Sequence, residues 1–523
     1  MPLSGVKDMR INPHNTVSRS GIITYLKAHA IFFLILIIAI LLRSQEIWSG
    51  NYLFLIDQGR DMLAVKKIVF DYDLTLIGPY TSLGGVFQGP FYYYLLAFPT
   101  FLTNGDPIGA MYAMAVISLL TIAAAYYLCG TLFGKDAALF TSFLFVASPE
   151  AAAAATYIWN PHPMWLLITL YCFLLYLARY KNRRYHLALW PVIFLMFHFQ
   201  MAFGVFLFMA TAFYFFVFAR RHIAKRQVIR AAIISSAVLF PQILFEIRND
   251  FLMTRSVFTV LSGGSDQGLF TGNEFSGYLP LIRSHASSFL DNFRSSFPHM
   301  TPLAYFPPAI AVISVITLAF LKNRMEKQHL SMVYLLGLII LVILCIGFVY
   351  PFPIRYWFLT GFQSFYLIIA GIVLATLWRY RTTRIIPVIT VFICLWYAYS
   401  RIISLYSLPE DEGGLAKIKG KLAAIDYVYA DAKDKEFGLL VFTPPVNTDA
   451  YDYLVWWRAR NKYHYTPHAE KRGMVYLLIE PDPHQPWTYN GWLETVIVDG
   501  EIADTATLPA GAIIQKRYFT VDK

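Results

Sequence analysis

Four short basic segments divide the apolar stretches of this chain: ARYKNRRYH (178–186), ARRHIAKRQVIR (219–230), KNRMEKQH (322–329) and WRYRTTR (378–384). Lys7, Arg10, Arg19 and Lys27 make the N-terminal segment basic as well. Apolar runs separated by short basic loops describe a polytopic membrane protein, with the five basic segments on the cytoplasmic side. Lipid satisfies no backbone N–H or C=O group, so the spanning part must be helical. The composition agrees: the 523 residues are 57% hydrophobic, with a mean hydropathy of +0.51.

The formal net charge of +11 would suggest nucleic acid in a soluble protein. Here the basic residues sit in loops between apolar runs, so topology explains them and no nucleic-acid partner is expected. Cys129, Cys172, Cys345 and Cys394 lie in apolar stretches without CxxC spacing, which fits neither disulfides nor zinc. The first apolar run, 31–42, precedes RSQEIWSGN rather than a small-residue cleavage site and reads as a retained span.

Alternation from the basic loops places 44–90, 147–163 and 246–302 outside, with about eleven to thirteen spans. The stretch PFYYYLLAFPTFL (90–102) is shorter than the ~20 residues a span needs and breaks the alternation if it crosses, so it is expected to be incomplete. The domain plan is a cytoplasmic segment 1–28, a transmembrane region 29–408 and an outer α/β domain 409–523. In the last, GLLVFT, MVYLLIE and ETVIVD read as strands and DAYDYLVWWRARN as an amphipathic helix.

The outer segments hold the candidate chemistry. DQGRD (57–61) packs two carboxylates and a guanidinium just after the first span. On a helix, Asp57, Arg60, Asp61 and Ala64 share a face and Met62, Val65 and Val69 another, which predicts a surface helix, polar side up. Lys66 and Lys67 follow. LIGPYTSLGGVFQGPFYYYLL (76–96) carries four glycines and two prolines. Irregular backbone at membrane depth needs a cavity or protein packing, which points to Gln88 and Tyr93. PEAAAAATYIWNPHP brings Glu150, Asn160 and His162; His162, between two prolines, is expected to be exposed. YPFPIRYWF (350–358) places Arg355 and Tyr356 on the same side, where a fixed guanidinium suits a phosphate.

Together these residues resemble bacterial glycosyltransferases of the GT-C superfamily. The pattern is most similar to the protein O-mannosyltransferase and aminoarabinose transferase group (glycosyltransferase family 39-like). Asp57 matches the acidic residue of the family's first outer loop, and IRYWF resembles its Arg-Tyr motif. Gln58 stands where many relatives carry a second acid, and Asn160 where another acidic position often falls. The resemblance implies inverting transfer of a sugar from a polyprenyl-phosphate-linked donor to an acceptor hydroxyl of a lipid, glycan or protein. Asp57 would be the general base. Arg355, Arg60 and Lys66 would bind the donor phosphate. Asp61, Gln88, Tyr93, Glu150, Asn160, His162 and Tyr356 would contact acceptor or sugar. No metal or other cofactor is required by the sequence, although a divalent ion is compatible with it. The expected location is a bacterial cell membrane, the site facing outward. The rival readings are an oligosaccharide ligase and a transporter; the latter expects ionisable residues within spans, where His198 in FHFQ is the main candidate.

Overall fold

The computed structural model describes residues 27–219, 224–262, 278–407 and 414–520, apart from Asp434, Pro483 and Pro486. Six helices are long and apolar enough to cross a membrane: Ile108–Phe133, Met164–Lys181, Met201–Phe218, Phe306–Arg324, Lys327–Val349 and Ile385–Ser407. The pair Lys225–Val238 and Phe240–Arg248, bent by 65°, makes a seventh. Four shorter helices, Ala30–Arg43, Lys135–Ala147, His186–Met196 and Gln363–Trp378, pack among them.

Hydrogen bonds fix which ends meet. At the basic end, Lys135 donates to the Ala28 carbonyl (3.2 Å), the Tyr176 hydroxyl to Gln328 (2.9 Å) and the Tyr380 hydroxyl to the Arg324 carbonyl (3.1 Å). At the opposite end, the buried Arg43 guanidinium donates to the Phe145 carbonyl (3.0 Å) and to Ser118 (3.0 Å). Those bonds cap one helix terminus and satisfy a charge that would otherwise be costly to bury.

Helix Phe91–Leu102 keeps both ends at the Arg43 end. Phe91 stacks on His198 at 4.0 Å, and just beyond Leu102 the Gly105 carbonyl accepts from the Tyr453 hydroxyl at 2.7 Å. Twelve residues at ~1.5 Å each are too few to cross, and this helix returns instead.

The chain ends in a four-stranded sheet, order β1-β2-β4-β3, built from β1 (Gly438–Phe442), β2 (Gly473–Ile479), β3 (Glu501–Thr507) and β4 (Ile513–Phe519). The β1–β2 pair is parallel and the others antiparallel. Helices Ile418–Ala432 and Asp449–Arg458 belong to one face, and their buried Ile425, Tyr451, Tyr453 and Leu454 join the hydrophobic core of the helical region. ETVIVD is not a strand: Leu493–Ile497 is a wide helical turn, with Leu493 and Ile497 packed against Phe442, Val475 and Ile479. Its β-forming composition yields to the need to cover the other sheet face.

The sheet domain also docks against helix Ile56–Phe70 and the residues just before it. Phe54 N–H donates to the Ala416 carbonyl (3.1 Å) and Ile418 N–H to the Tyr52 carbonyl (3.0 Å). Gly59 meets Ala450 backbone to backbone: a Cβ there would stand 2.3 Å from the Ala450 nitrogen. Only glycine permits that approach.

Candidate active site

Helix Ile56–Phe70 begins with Gln58, whose Oε1 accepts the Leu55 N–H at 2.9 Å and whose Nε2 donates to the Ile158 carbonyl at 2.8 Å. The neutral amide standing where relatives carry an acid is therefore a buried strut between two outer segments. Met62 and Val65 are buried on the core side, as their spacing predicts. Asp61 is buried with them, at 0% exposure, which corrects the expectation of a single polar face turned upward. Its partner explains this: Arg60 donates to Asp61 Oδ1 through Nε (2.9 Å) and Nη2 (2.7 Å), and to Asp57 Oδ1 through Nη1 (2.8 Å). The Arg60 guanidinium also lies 4.7 Å from the centroid of Tyr80. Burial lowers the Arg60 pKa, but Asp61 and Asp57 outweigh it and hold the group firmly cationic. Asp57 alone of the three is substantially open, its side chain 44% exposed.

Asp57 and Arg60 face a cavity of about 530 Å³, lined also by Gln88, Trp159, Asn160, Gln200 and Tyr356 among others. That size suits a small ligand, and the wall is mostly aromatic and apolar with a few placed amides. Gln88 Oε1 accepts the Met201 N–H (2.7 Å), and Gln200 Nε2 donates to the Trp357 carbonyl (2.9 Å). These amides join the glycine-rich 78–90 loop to the 198–201 and 350–358 segments. The loop packs tightly: a Cβ on Gly89 would fall 2.0 Å from the His198 ring. Asn160 Nδ2 donates to the Phe199 carbonyl at 2.6 Å. Trp159 lies 6.0 Å from Tyr356 and 6.3 Å from Trp357, centroid to centroid.

Two further spaces adjoin. An apolar groove of about 330 Å³ runs between helices Phe240–Arg248 and Leu252–Leu261 and shares Val86, Met201 and Val257 with the main cavity. A more polar chamber of about 720 Å³ shares Arg60 with it and is lined by Lys67, Asp73, Tyr93, Arg248 and Asp449, so it opens between the helical region and the sheet domain.

The structure brings together Asp57, Arg60, Gln88, Asn160 and Tyr356 in one cavity and leaves the other candidates outside its lining. Arg355 is half-buried beside Tyr356. Tyr93 is buried, its hydroxyl 3.4 Å from Asp61. Glu150 is exposed in the first turn of Pro149–Ala153. Lys66 pairs with Asp71 at 2.8 Å and lies 5.6 Å from the Trp456 centroid, away from all three spaces. His162 is buried, which corrects the expected exposure. Its Nδ1 is 3.0 Å from the Tyr157 carbonyl and its ring is wedged against Tyr157 and Trp159. Burial pushes its pKa down to about 3, so the imidazole is neutral at physiological pH. The two flanking prolines turn the chain inward, a tertiary effect that local sequence does not encode. His198 is also buried, Nε2 3.0 Å from the Val238 carbonyl, and supports the loop. Trp159, from the outer segment that carries Asn160, lines the cavity too, and Gln200 and Trp357 are cavity residues that the sequence does not single out. The only signal for Gln200 and Trp357 is proximity to His198 and Tyr356 in the chain. Among the described residues no three His, Cys, Asp or Glu side chains gather as a metal site.

The family described as dolichyl-phosphate-mannose-protein mannosyltransferase matches residues 88–245, a segment holding Gln88, Trp159, Asn160 and Gln200. Among solved structures, ArnT from Cupriavidus metallidurans superposes with a TM-score of 0.59 over 95% of this chain and 98% of its own, at 12% identity. It has been solved both without ligand and bound to undecaprenyl phosphate. The oligosaccharyltransferase AglB from Archaeoglobus fulgidus, crystallised with zinc and sulfate, gives a TM-score of 0.51 over 94% of this chain and 73% of its own, at 13% identity. The chain has the GT-C fold. No curated protein sequence matches it. The Asp57 cavity lies at the end of the bundle away from the basic loops, and the adjoining polar chamber reaches Asp449 of the sheet domain.

Proposed function

We propose that the chain is a membrane glycosyltransferase that moves a sugar from a polyprenyl-phosphate-linked donor to an acceptor hydroxyl at the outer face of a bacterial cell membrane, with inversion at the anomeric carbon. The observation that carries this reading is Asp57: an open carboxylate, pinned by a guanidinium, on the wall of a cavity that runs into an apolar groove between two helices. A polyisoprenoid chain suits that groove and a sugar suits the aromatic and amide wall. The binding of undecaprenyl phosphate to ArnT and of dolichol phosphate to AglB supports the same donor class.

Asp57 takes the acceptor proton as the acceptor oxygen bonds the anomeric carbon. The bond from that carbon to the phosphate oxygen breaks, and its electron pair leaves on the polyprenyl phosphate. A positioned base of this kind contributes about 10²–10⁴-fold. Arg60 stands beside Asp57, and Arg355, next to Tyr356 of the wall, adds a further positive group to offset the departing phosphate. The single open carboxylate of the cluster favours direct displacement over a double displacement through an enzyme-bound sugar.

The test is mass spectrometry of lipids, surface glycans and secreted proteins from a deletion strain and from one carrying Asp57→Asn. A sugar increment missing from the same acceptor in both supports the reading, and profiles matching wild type overturn it. Sidedness is read separately. A cysteine at Asp482 in a cysteine-free background should react with an impermeant thiol reagent on intact spheroplasts; labelling only after lysis reverses the orientation.

A further inference from the structure

Asp61 is a buried carboxylate that the transfer step above does not use. Both Arg60 contacts fall on its Oδ1, and the Tyr93 hydroxyl stands 3.4 Å from the same oxygen. Oδ2 is buried and accepts no hydrogen bond among the described residues. An orphaned buried oxygen is destabilising, so this arrangement is not the one stability alone would select. What it does achieve is geometric. With Nε and Nη2 held by Asp61 and the ring of Tyr80 against its face, Arg60 has one defined direction for Nη1, and Nη1 holds Asp57. Gly59, seated against Ala450, stops the helix from backing away.

We propose that Asp61 is a positioning residue for glycosyl transfer: it fixes Arg60 from behind and, through Arg60, fixes the direction in which Asp57 presents its carboxylate to the cavity. This rests on the reading of Asp57 as the base. The groups facing Asp61 are Arg60 and Asp57 on its own helix, and Tyr93 and Tyr92 from helix Phe91–Leu102. Burial raises the Asp61 carboxyl to about 6 against the opposing pull of Arg60. Below that pH Asp61 takes up a proton, Arg60 loses its anchor and the transfer rate falls; above it the anchor is intact.

The experiment uses the full chain in lipid nanodiscs and, as donor, the polyprenyl-linked lipid fraction of the deletion strain. Initial rates are measured at limiting and saturating donor from pH 5 to 9. Asp61→Asn keeps the side-chain shape and loses the charge. It should lower the saturated rate about 10²-fold, the scale of a misplaced catalytic group, with the apparent KM for donor unchanged within about twofold. The wild-type acid limb near pH 6 should disappear from its profile. Tyr93→Phe removes only the hydroxyl that lowers the Asp61 pKa, so its acid limb should move to higher pH. This second variant keeps the proposal testable if Asp61→Asn does not fold. A wild-type rate and profile for folded Asp61→Asn, or an unmoved acid limb in Tyr93→Phe, overturns the proposal. Asp57→Asn separates the two levels: if it is inactive while Asp61→Asn is normal, the positioning role fails and the base assignment stands. If Asp57→Asn is fully active, the functional reading itself fails.

Discussion

In the helical region one guanidinium serves two carboxylates: Arg60 bridges Asp57 and Asp61, and Asp57 stays 44% exposed on a cavity wall. In the sheet domain Lys421 meets Glu480 at 2.7 Å, the Tyr451 hydroxyl donates to the same carboxylate oxygen at 3.0 Å, and the lysine lies 4.5 Å from the Tyr451 centroid. There the charges match one to one, and neither side chain is more than 15% exposed. Burial lowers the Lys421 pKa, with Glu480 opposing it. A matched, sealed pair can only hold a domain together. A cluster with a carboxylate in excess, turned to a cavity, has something left over for chemistry. Charge count and exposure therefore separate the two more clearly than burial does.

That contrast breaks if the two clusters respond alike to loss of charge. Asp57→Asn should reduce transfer by about 10²–10⁴-fold while the thermal unfolding midpoint stays at the wild-type value. Glu480→Gln should do the reverse. It leaves a buried ammonium without its carboxylate, a loss of about 3–5 kcal/mol in well-sealed pairs, and should lower the midpoint of the sheet domain. Transfer per folded molecule should persist. Calorimetry and rate assays on the two purified variants are the check; an Asp57→Asn protein that unfolds early with normal activity would place it with the structural pair.

Arg355, beside Tyr356 of the cavity wall, sharpens the contrast. Arg355→Ala should weaken undecaprenyl phosphate binding roughly tenfold, the scale of a charge-assisted hydrogen bond. Arg355→Lys should recover part of that, since it keeps the charge and loses the planar fork. Isothermal titration in nanodiscs distinguishes them, and equal wild-type affinity in both would remove Arg355 from donor binding.

The features legible in the sequence are those with a local cause. Apolar runs and basic loops gave the bundle and its ends, and 90–102 was too short to cross. Spacing placed Met62 and Val65 inward. Asp61 was misjudged because a helical wheel shows which residues share a face but not that a neighbour's guanidinium draws a carboxylate into the core. His162 was misjudged because proline-flanked turns are usually surface features, and only the packing of Tyr157 and Trp159 shows this one folding inward. Gln200 and Trp357 could not be selected at all. Their roles arise where the 78–90, 198–201 and 350–358 segments meet, far apart in sequence.

Asn160 should give the smallest effect, and it tests whether the neutral wall opposite the charged cluster contributes to binding. Its Nδ2 is committed to the Phe199 carbonyl, which ties the 157–163 turn to the segment ending at Gln200. Its Oδ1 accepts no hydrogen bond from the described residues, and the residue lines the cavity, so an acceptor oxygen is available to a sugar hydroxyl. Asn160→Ala removes both. Loss of one neutral hydrogen bond to substrate is worth about 0.5–1.5 kcal/mol, which predicts a rise of a few-fold in the apparent KM for donor with the saturated rate unchanged. Asn160→Asp keeps the Oδ1 acceptor but replaces the donor to Phe199 with a charge beside the Asp57 wall, so like-charge repulsion should shift the activity profile to higher pH and make its loss exceed that of Asn160→Ala at low pH. Steady-state kinetics across pH on the two variants reads both effects. If KM is unchanged in Asn160→Ala and only the unfolding midpoint drops, Asn160 is a turn residue and the neutral wall binds without it.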